Sequence, residues 1–288
     1  MAQGYNTPAE ITAYVVETGY KKSTLSATKM LLLGIMAGIF LSLAAHATII
    51  VTHNIPYIGF ARFISGLIFP VGLVLILLSG CELFTGNCLI VVSCLEKKTS
   101  WKKYAKSLFF VYTGNLIGSL ITVACLYYYN QNCHVDNLIS AYNIKVAATK
   151  CSMPPLAALV SSTFANILVC MGVWFCYAAK DISGKIMGIF YPIFLFIVIG
   201  MEHVIANMYY IPMGLFAKAN PAYLQSAISM GVSPEKLSNL NLSNAIINNF
   251  IPATIGNILG GALMVGAFYW LIFLKDEKKS VKSDVDCY

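Results

Sequence analysis

Charge is scarce in this chain: 11% of its 288 residues are Asp, Glu, Lys or Arg, and only 12 are acidic. A soluble domain usually carries about 25% charged residues, so there is too little here to clothe a surface that faces water. The signatures of bond-making chemistry are missing as well. The nine cysteines form no Cys-x-x-Cys pair and no zinc spacing, and the chain has no HExxH or GxSxG arrangement. A membrane-embedded enzyme would need a nucleophile with a base, or a ligand cluster, and the pattern offers neither. Nothing asks for a cofactor or a metal. The first 27 residues are polar and mixed, with no short apolar region and no small-residue cleavage site, so the first apolar run is expected to double as the targeting signal.

Apolar residues, by contrast, make up 58% of the chain. They gather in runs at about 28–52, 58–95, 104–129, 155–178, 186–217 and 247–274. A bilayer span takes roughly 20 residues, so these runs predict six crossings. The second and fifth are too long and too interrupted for plain helices: Phe69-Pro70-Val71-Gly72 and Ser79-Gly80 punctuate one, Ile199-Gly200 and Ile211-Pro212-Met213-Gly214 the other. Broken helices at membrane depth are tolerated only where the open backbone is buried in protein or lines a cavity. The predicted fold class is thus an all-α polytopic membrane protein. It has a cytoplasmic segment over 1–27, a span domain over 28–274 with repeats at 28–129 and 155–274, and a cytoplasmic tail over 275–288.

The net charge of +7 does not point to nucleic acid, because the basic residues stand at the ends of spans, where they orient the chain. With the N-terminus inside, fourteen of the nineteen fall on inner segments, leaving Arg62, Lys145, Lys150, Lys218 and Lys236 outside. Both termini are therefore expected in the cytoplasm, with the bilayer as the surrounding partner. Most cysteines lie in apolar runs and behave as small hydrophobes. Cys133 and Cys151 share one polar loop and could pair if that loop faces an oxidising side.

An internal repeat carries most of the information. Gly80-Cys-Glu-Leu-Phe-Thr-Gly-Asn87 aligns with Gly200-Met-Glu-His-Val-Ile-Ala-Asn207, and Gly114-Asn115-Leu-Ile-Gly118 aligns with Gly256-Asn257-Ile-Leu-Gly260. Three spans per half is an odd number, so the halves must be inverted relative to one another, the arrangement that marks a midplane solute pathway. Glu82, Glu202 and His203 sit in or beside these breaks, where an ionisable group is expensive unless neutralised or wetted. The two glutamates hold equivalent positions and read as structural pins. His203 breaks the symmetry, since its counterpart is Leu83, and so reads as functional. Asn87, Asn115, Asn207 and Asn257, with Asn166 in the fourth span, are polar groups in apolar helices for which packing glue is the plain reading. Phe69, Leu73, Phe84 and Phe196 are candidate constrictions only by their position beside the breaks.

The segments Leu78–Gly86, Phe164–Cys170, Gly200–Met208 with Ile211–Gly214, and Ile251–Gly261 closely resemble the formate/nitrite transporter family. Cys81 stands where that family's signature usually has a smaller residue. The resemblance covers about residues 5 to 275. It implies an aquaporin-like protomer in a homopentamer, one pore per protomer, and passage of a small monovalent anion, formate foremost, with nitrite, hydrosulfide or lactate as alternatives. It further implies that His203 is the pore histidine, Thr85 its hydrogen-bonding neighbour, and Asn166 and Asn257 polar pore-lining partners. Leu73 would belong to the loop-side constriction, Phe69 and Phe196 would form apolar slits on either side of the histidine, and Lys150 would be the vestibule lysine that attracts anions. A water or glycerol channel would carry Asn-Pro-Ala in both broken segments, and these lack it.

Overall fold

The computed structural model describes residues 4–132 and 137–275. The first helix, α1 (Pro8–Ser23), starts at a capping box: the Thr7 N–H donates to the Glu10 carboxylate at 2.7 Å and the Glu10 N–H donates to the Thr7 hydroxyl at 3.4 Å. There follow α2 (Ala27–Thr52), α3 (Ile58–Leu78), the half-helix α4 (Phe84–Leu95) and α5 (Trp101–Gln131). The second half runs α6 (Asn137–Cys151), α7 (Pro155–Ala178), α8 (Ile182–Ile199), the half-helix α9 (Val204–Lys218), two short helices, α10 (Pro221–Ser229) and α11 (Pro234–Asn239), and α12 (Leu242–Lys275). Six of these, α2, α3, α5, α7, α8 and α12, are long and apolar enough to cross a bilayer. Three belong to each half, so the halves are inverted repeats.

Small residues decide which spans touch most closely. A Cβ on Gly38 of α2 would collide with the Asn115 carbonyl, and one on Gly118 of α5 with the Ile35 carbonyl. Gly256 and Gly260 of α12 meet Leu159 and Thr163 of α7 in the same way. Each half is thus keyed by backbone-to-backbone contact at a small-xxx-small seam, the packing that works where lipid removes the hydrophobic drive.

The breaks open at one residue each. Gly80 (φ +77°) and Gly200 (φ +78°) take the left-handed conformation that ends a helix, after which Leu83 and His203 are extended. The prolines expected to break the spans do not open the chain. At Phe69-Pro70 the ladder shifts by one residue, with Gly72 N–H bonding Phe69 C=O at 3.0 Å, and α9 runs on through Pro212. A proline removes one donor, whereas a left-handed glycine redirects the whole backbone.

The main apolar core lies between the halves, from Leu41 and Phe69 to Phe196 and Met208. One satellite core packs α1 against α4 and α12; the other packs α6 against α9 under the α10–α11 insertion. Asn220-Pro221-Ala222, in that insertion, is a plain helix start, Asn220 accepting from the Ala222 N–H at 2.9 Å. Cys151 is buried in the second satellite core with a free thiol. Cys133 and the tail beyond residue 275 lie outside the described residues.

Candidate functional site

The half-helices α4 and α9 begin inside the protein, where their first N–H groups have no intrahelical acceptor. Two asparagines supply one. Asn115 Oδ1 accepts from Phe84 N–H at 3.0 Å and Asn257 Oδ1 from Val204 N–H at 2.9 Å. Their amide nitrogens donate to backbone as well, Asn115 to Gly34 and Glu82 carbonyls at 2.9 and 3.0 Å, Asn257 to Ser162 and Glu202 carbonyls at 2.7 and 3.5 Å. Asn257, which the resemblance makes pore-lining, is fully buried and spends its amide on holding the break, as its twin does.

His203 is the cap of α9, its Nδ1 accepting from the Ala206 N–H at 3.1 Å. A ring nitrogen that accepts carries no proton, so the ring hydrogen sits on Nε2 and is donated to Thr85 Oγ1 at 2.9 Å. The Thr85 carbonyl is held from behind by Asn166 Nδ2 at 3.3 Å and the Cys170 thiol at 3.4 Å. Asn166 also donates to the Asn257 carbonyl, tying the two breaks together.

Around the imidazole the wall is apolar. Leu41, Phe69, Leu73, Leu83, Val169, Ile193 and Phe196 enclose with His203 a space of about 10 Å³. That is about the room one water molecule needs. The Phe69 and Phe196 rings meet edge-on at 6.0 Å, and Phe196 lies 5.9 Å from His203. The two phenyls thus pack against one another in the wall of this space. Phe84 is not part of this wall; its ring packs against Tyr112 at 4.9 Å. Leu41, Val169 and Ile193 escaped the sequence reading. Val169 and Ile193 each stand one helical turn from a singled-out residue, Asn166 and Phe196, and that spacing was the available signal.

The two buried glutamates form matched nodes. Glu202 accepts from Lys150 at 2.8 Å, from Asn207 at 2.7 Å and from Asn249 at 2.9 Å. Glu82 accepts from Asn87 at 2.7 Å and faces Lys22 of α1 at 3.2 Å, while Asn87 also reaches Ser107 at 3.2 Å. Neither Lys22 nor Asn249 was expected. Lys150 also stands on the wall of a 170 Å³ cavity with Arg62, Thr48, Thr52, Ser65 and Tyr210, which opens beside the Gly200 break.

The sequence profile of the formate/nitrite transporter family matches residues 9–271. The chain belongs to this family. Among proteins of known description, the formate channel FocA of Escherichia coli (strain K12) is 34% identical over 274 residues, which cover 93% of this chain and 95% of the relative. A solved structure described as a pentameric formate channel with formate bound superposes with a TM-score of 0.75 at 34% identity, covering 86% of this chain and 98% of that one. A second, described as an FNT family ion channel, has a TM-score of 0.74 at 23% identity, over 91% and 98% of the two chains, and speaks for the fold. Membership in the formate/nitrite transporters makes this a membrane transport protein and not an enzyme. Within that family setting, the Thr85–His203 bond joins the two inverted halves where their breaks meet.

Proposed function

We propose that the protein passes small monovalent anions of weak acids, formate foremost, across the cytoplasmic membrane, each protomer of a homopentamer holding one pore, with both termini in the cytoplasm. The observation that carries this reading is the apolar throat of about 10 Å³ closed on the His203 imidazole, which bonds Thr85. Moving a bare charge past Phe69, Leu73 and Phe196 would cost many kcal/mol, whereas a small neutral acid keeps only a hydroxyl and a carbonyl to satisfy. The anion therefore takes a proton from hydronium of the bulk solvent in the mouth, leaving water behind, crosses as the acid, and returns the proton to water on the other side. The Thr85 hydroxyl, which accepts from His203, still has its own hydrogen to give to an oxygen of the passing acid. The name of the formate channel relatives and the smallness of the throat both favour formate over lactate.

The test is flux into proteoliposomes of formate, nitrite, lactate and hydrosulfide over a range of pH. Formate flux is expected to lead and to rise as the feeding side is acidified. Replacing His203 with Phe, which removes the donor to Thr85, is expected to reshape that pH profile. An unchanged profile removes the imidazole from the mechanism, and vesicles no leakier than empty ones defeat the reading altogether.

A further inference from the structure

Lys150 is the cation that the family resemblance assigns to attracting anions, yet its ammonium lies 2.8 Å from the Glu202 carboxylate, with side chains 14% and 4% exposed. Seen from solution, such a pair is a dipole with no net charge. The 170 Å³ cavity that Lys150 lines has a second cation on its wall, Arg62, and among the described residues no Asp or Glu lines it. Among the described residues Arg62 has no carboxylate partner; its Nη1 donates to the Ile199 carbonyl at 3.4 Å. Its guanidinium lies over Gly200, close enough that a Cβ there would stand 3.1 Å from Nη2. The unneutralised charge is thus held at the end of α8, the helix that brings Phe196 to the throat.

We propose that Arg62, and not Lys150, supplies the net positive field that collects small carboxylate anions in this mouth, so that Arg62 is the residue that sets apparent affinity for the anion. The inference rests on the function proposed above. A concave site with one sign of charge and low-dielectric walls concentrates counter-ions, and the effect is screened by salt. Lys150 keeps a local role, as a hydrogen-bond donor that holds Glu202 and the break. On the same wall the Thr48 and Thr52 hydroxyls already give their hydrogens to the Ala45 and Thr48 carbonyls at 2.7 and 2.6 Å, and Tyr210 gives its own to Thr48 at 3.1 Å, so the five N–H groups of the guanidinium are what can replace an arriving anion's water.

A purely structural role for Arg62, covering Gly200 and bonding Ile199, makes a different prediction about substitutions. Arg62→Gln keeps a donor for the Ile199 carbonyl but loses the charge; Arg62→Lys keeps the charge but loses the planar cover. Formate uptake into proteoliposomes is measured against formate concentration at about 0.01 M and about 1 M ionic strength, where screening lengths are roughly 30 and 3 Å. For the wild type the half-saturating concentration is expected to rise with salt. Arg62→Gln is expected to raise it about threefold at low salt and to match the wild type at high salt, while Arg62→Lys stays near the wild type throughout. Arg62→Gln indistinguishable from wild type at low salt, or Arg62→Lys as impaired as Arg62→Gln, overturns the proposal. So does a wild type whose half-saturation ignores salt, a measurement that needs no variant. A wild type without formate flux sinks the proposed function and this inference with it, whereas normal flux with unresponsive variants sinks the inference alone.

Discussion

Removing either member of the Lys150–Glu202 pair should destabilise the protein far more than removing both adds to it. Glu202 is 3% exposed and its carboxylate accepts from Lys150, Asn207 and Asn249. Lys150→Met leaves that charge buried with two neutral donors. Breaking a buried pair costs roughly 3–5 kcal/mol, and the residual exposure of Lys150 argues for the lower end, about 3 kcal/mol. Glu202→Gln costs a similar amount, because its oxygen must face the two asparagine donors and its amide then points at the ammonium. The double variant leaves no charge behind, only the amide NH2 of the new Gln without an acceptor, so its cost stays at about 3 kcal/mol instead of about 6. The coupling is then about 3 kcal/mol. At about 2–4 °C per kcal/mol for a chain somewhat smaller than this, each single variant melts roughly 6–12 °C lower and the double no lower than either. Thermal melting of the purified protein, followed by size-exclusion of heated samples, reads the cycle directly. Melting shifts that simply add would show that the two groups do not depend on one another and would refute the argument.

Two further outcomes follow from other parts of the molecule. Gly261 of α12 stands where a Cβ would meet Cys88 and also Asn166 and Cys170, which hold the Thr85 carbonyl, so Gly261→Ala should cut flux or yield sharply while Gly59→Ala, which meets nothing, leaves both unchanged; equal behaviour of the two variants would count against the tight backing of Thr85. At the start of α1 the Thr7 N–H, helped by its hydroxyl, holds the Glu10 carboxyl below its ordinary value of 4.5. Because the folded value is the lower one, the cap's contribution is complete above pH 4.5 and fades as pH falls through the folded value. Amide exchange in the first turn of α1 should therefore quicken on acidification in the wild type but not in Glu10→Gln, and a parallel response in both would dismiss the cap.

Much of this was readable in the residues because the chain says it twice. The recurrence of Gly, Glu and Asn in the two octapeptides located both breaks and both carboxylates, and Gly80 and Gly200 do take the same φ. What the repeat could not reveal was anything contributed from far along the chain. Lys22 lies 60 residues before Glu82, in a helix whose polar sequence resembles any surface segment. The throat wall was partly hidden for another reason: Leu41 and Ile193 are apolar residues in apolar helices, and hydropathy is the same whether such a side chain faces lipid or a pore. Phe84 sits beside the break as expected, but which way a first-turn ring points depends on its neighbour Tyr112 and not on spacing. Pro70 and Pro212 were overread because a missing N–H looks more disruptive in a sequence than it is in a packed helix.

The lysines that neutralise the buried glutamates come from matching places. Lys22 and Lys150 each stand five residues ahead of the helix that opens their half, Lys22 before Ala27 and Lys150 before Pro155. The matching of the two halves therefore extends ahead of the first membrane crossing of each, and each half holds its own counterion. In that light α1 is a founding member of the first half, not an appendage to it. A chain trimmed to residue 27 would keep all six crossings and still arrive with one clasp undone, a lopsided version of a passage whose two ends were inherited as equals.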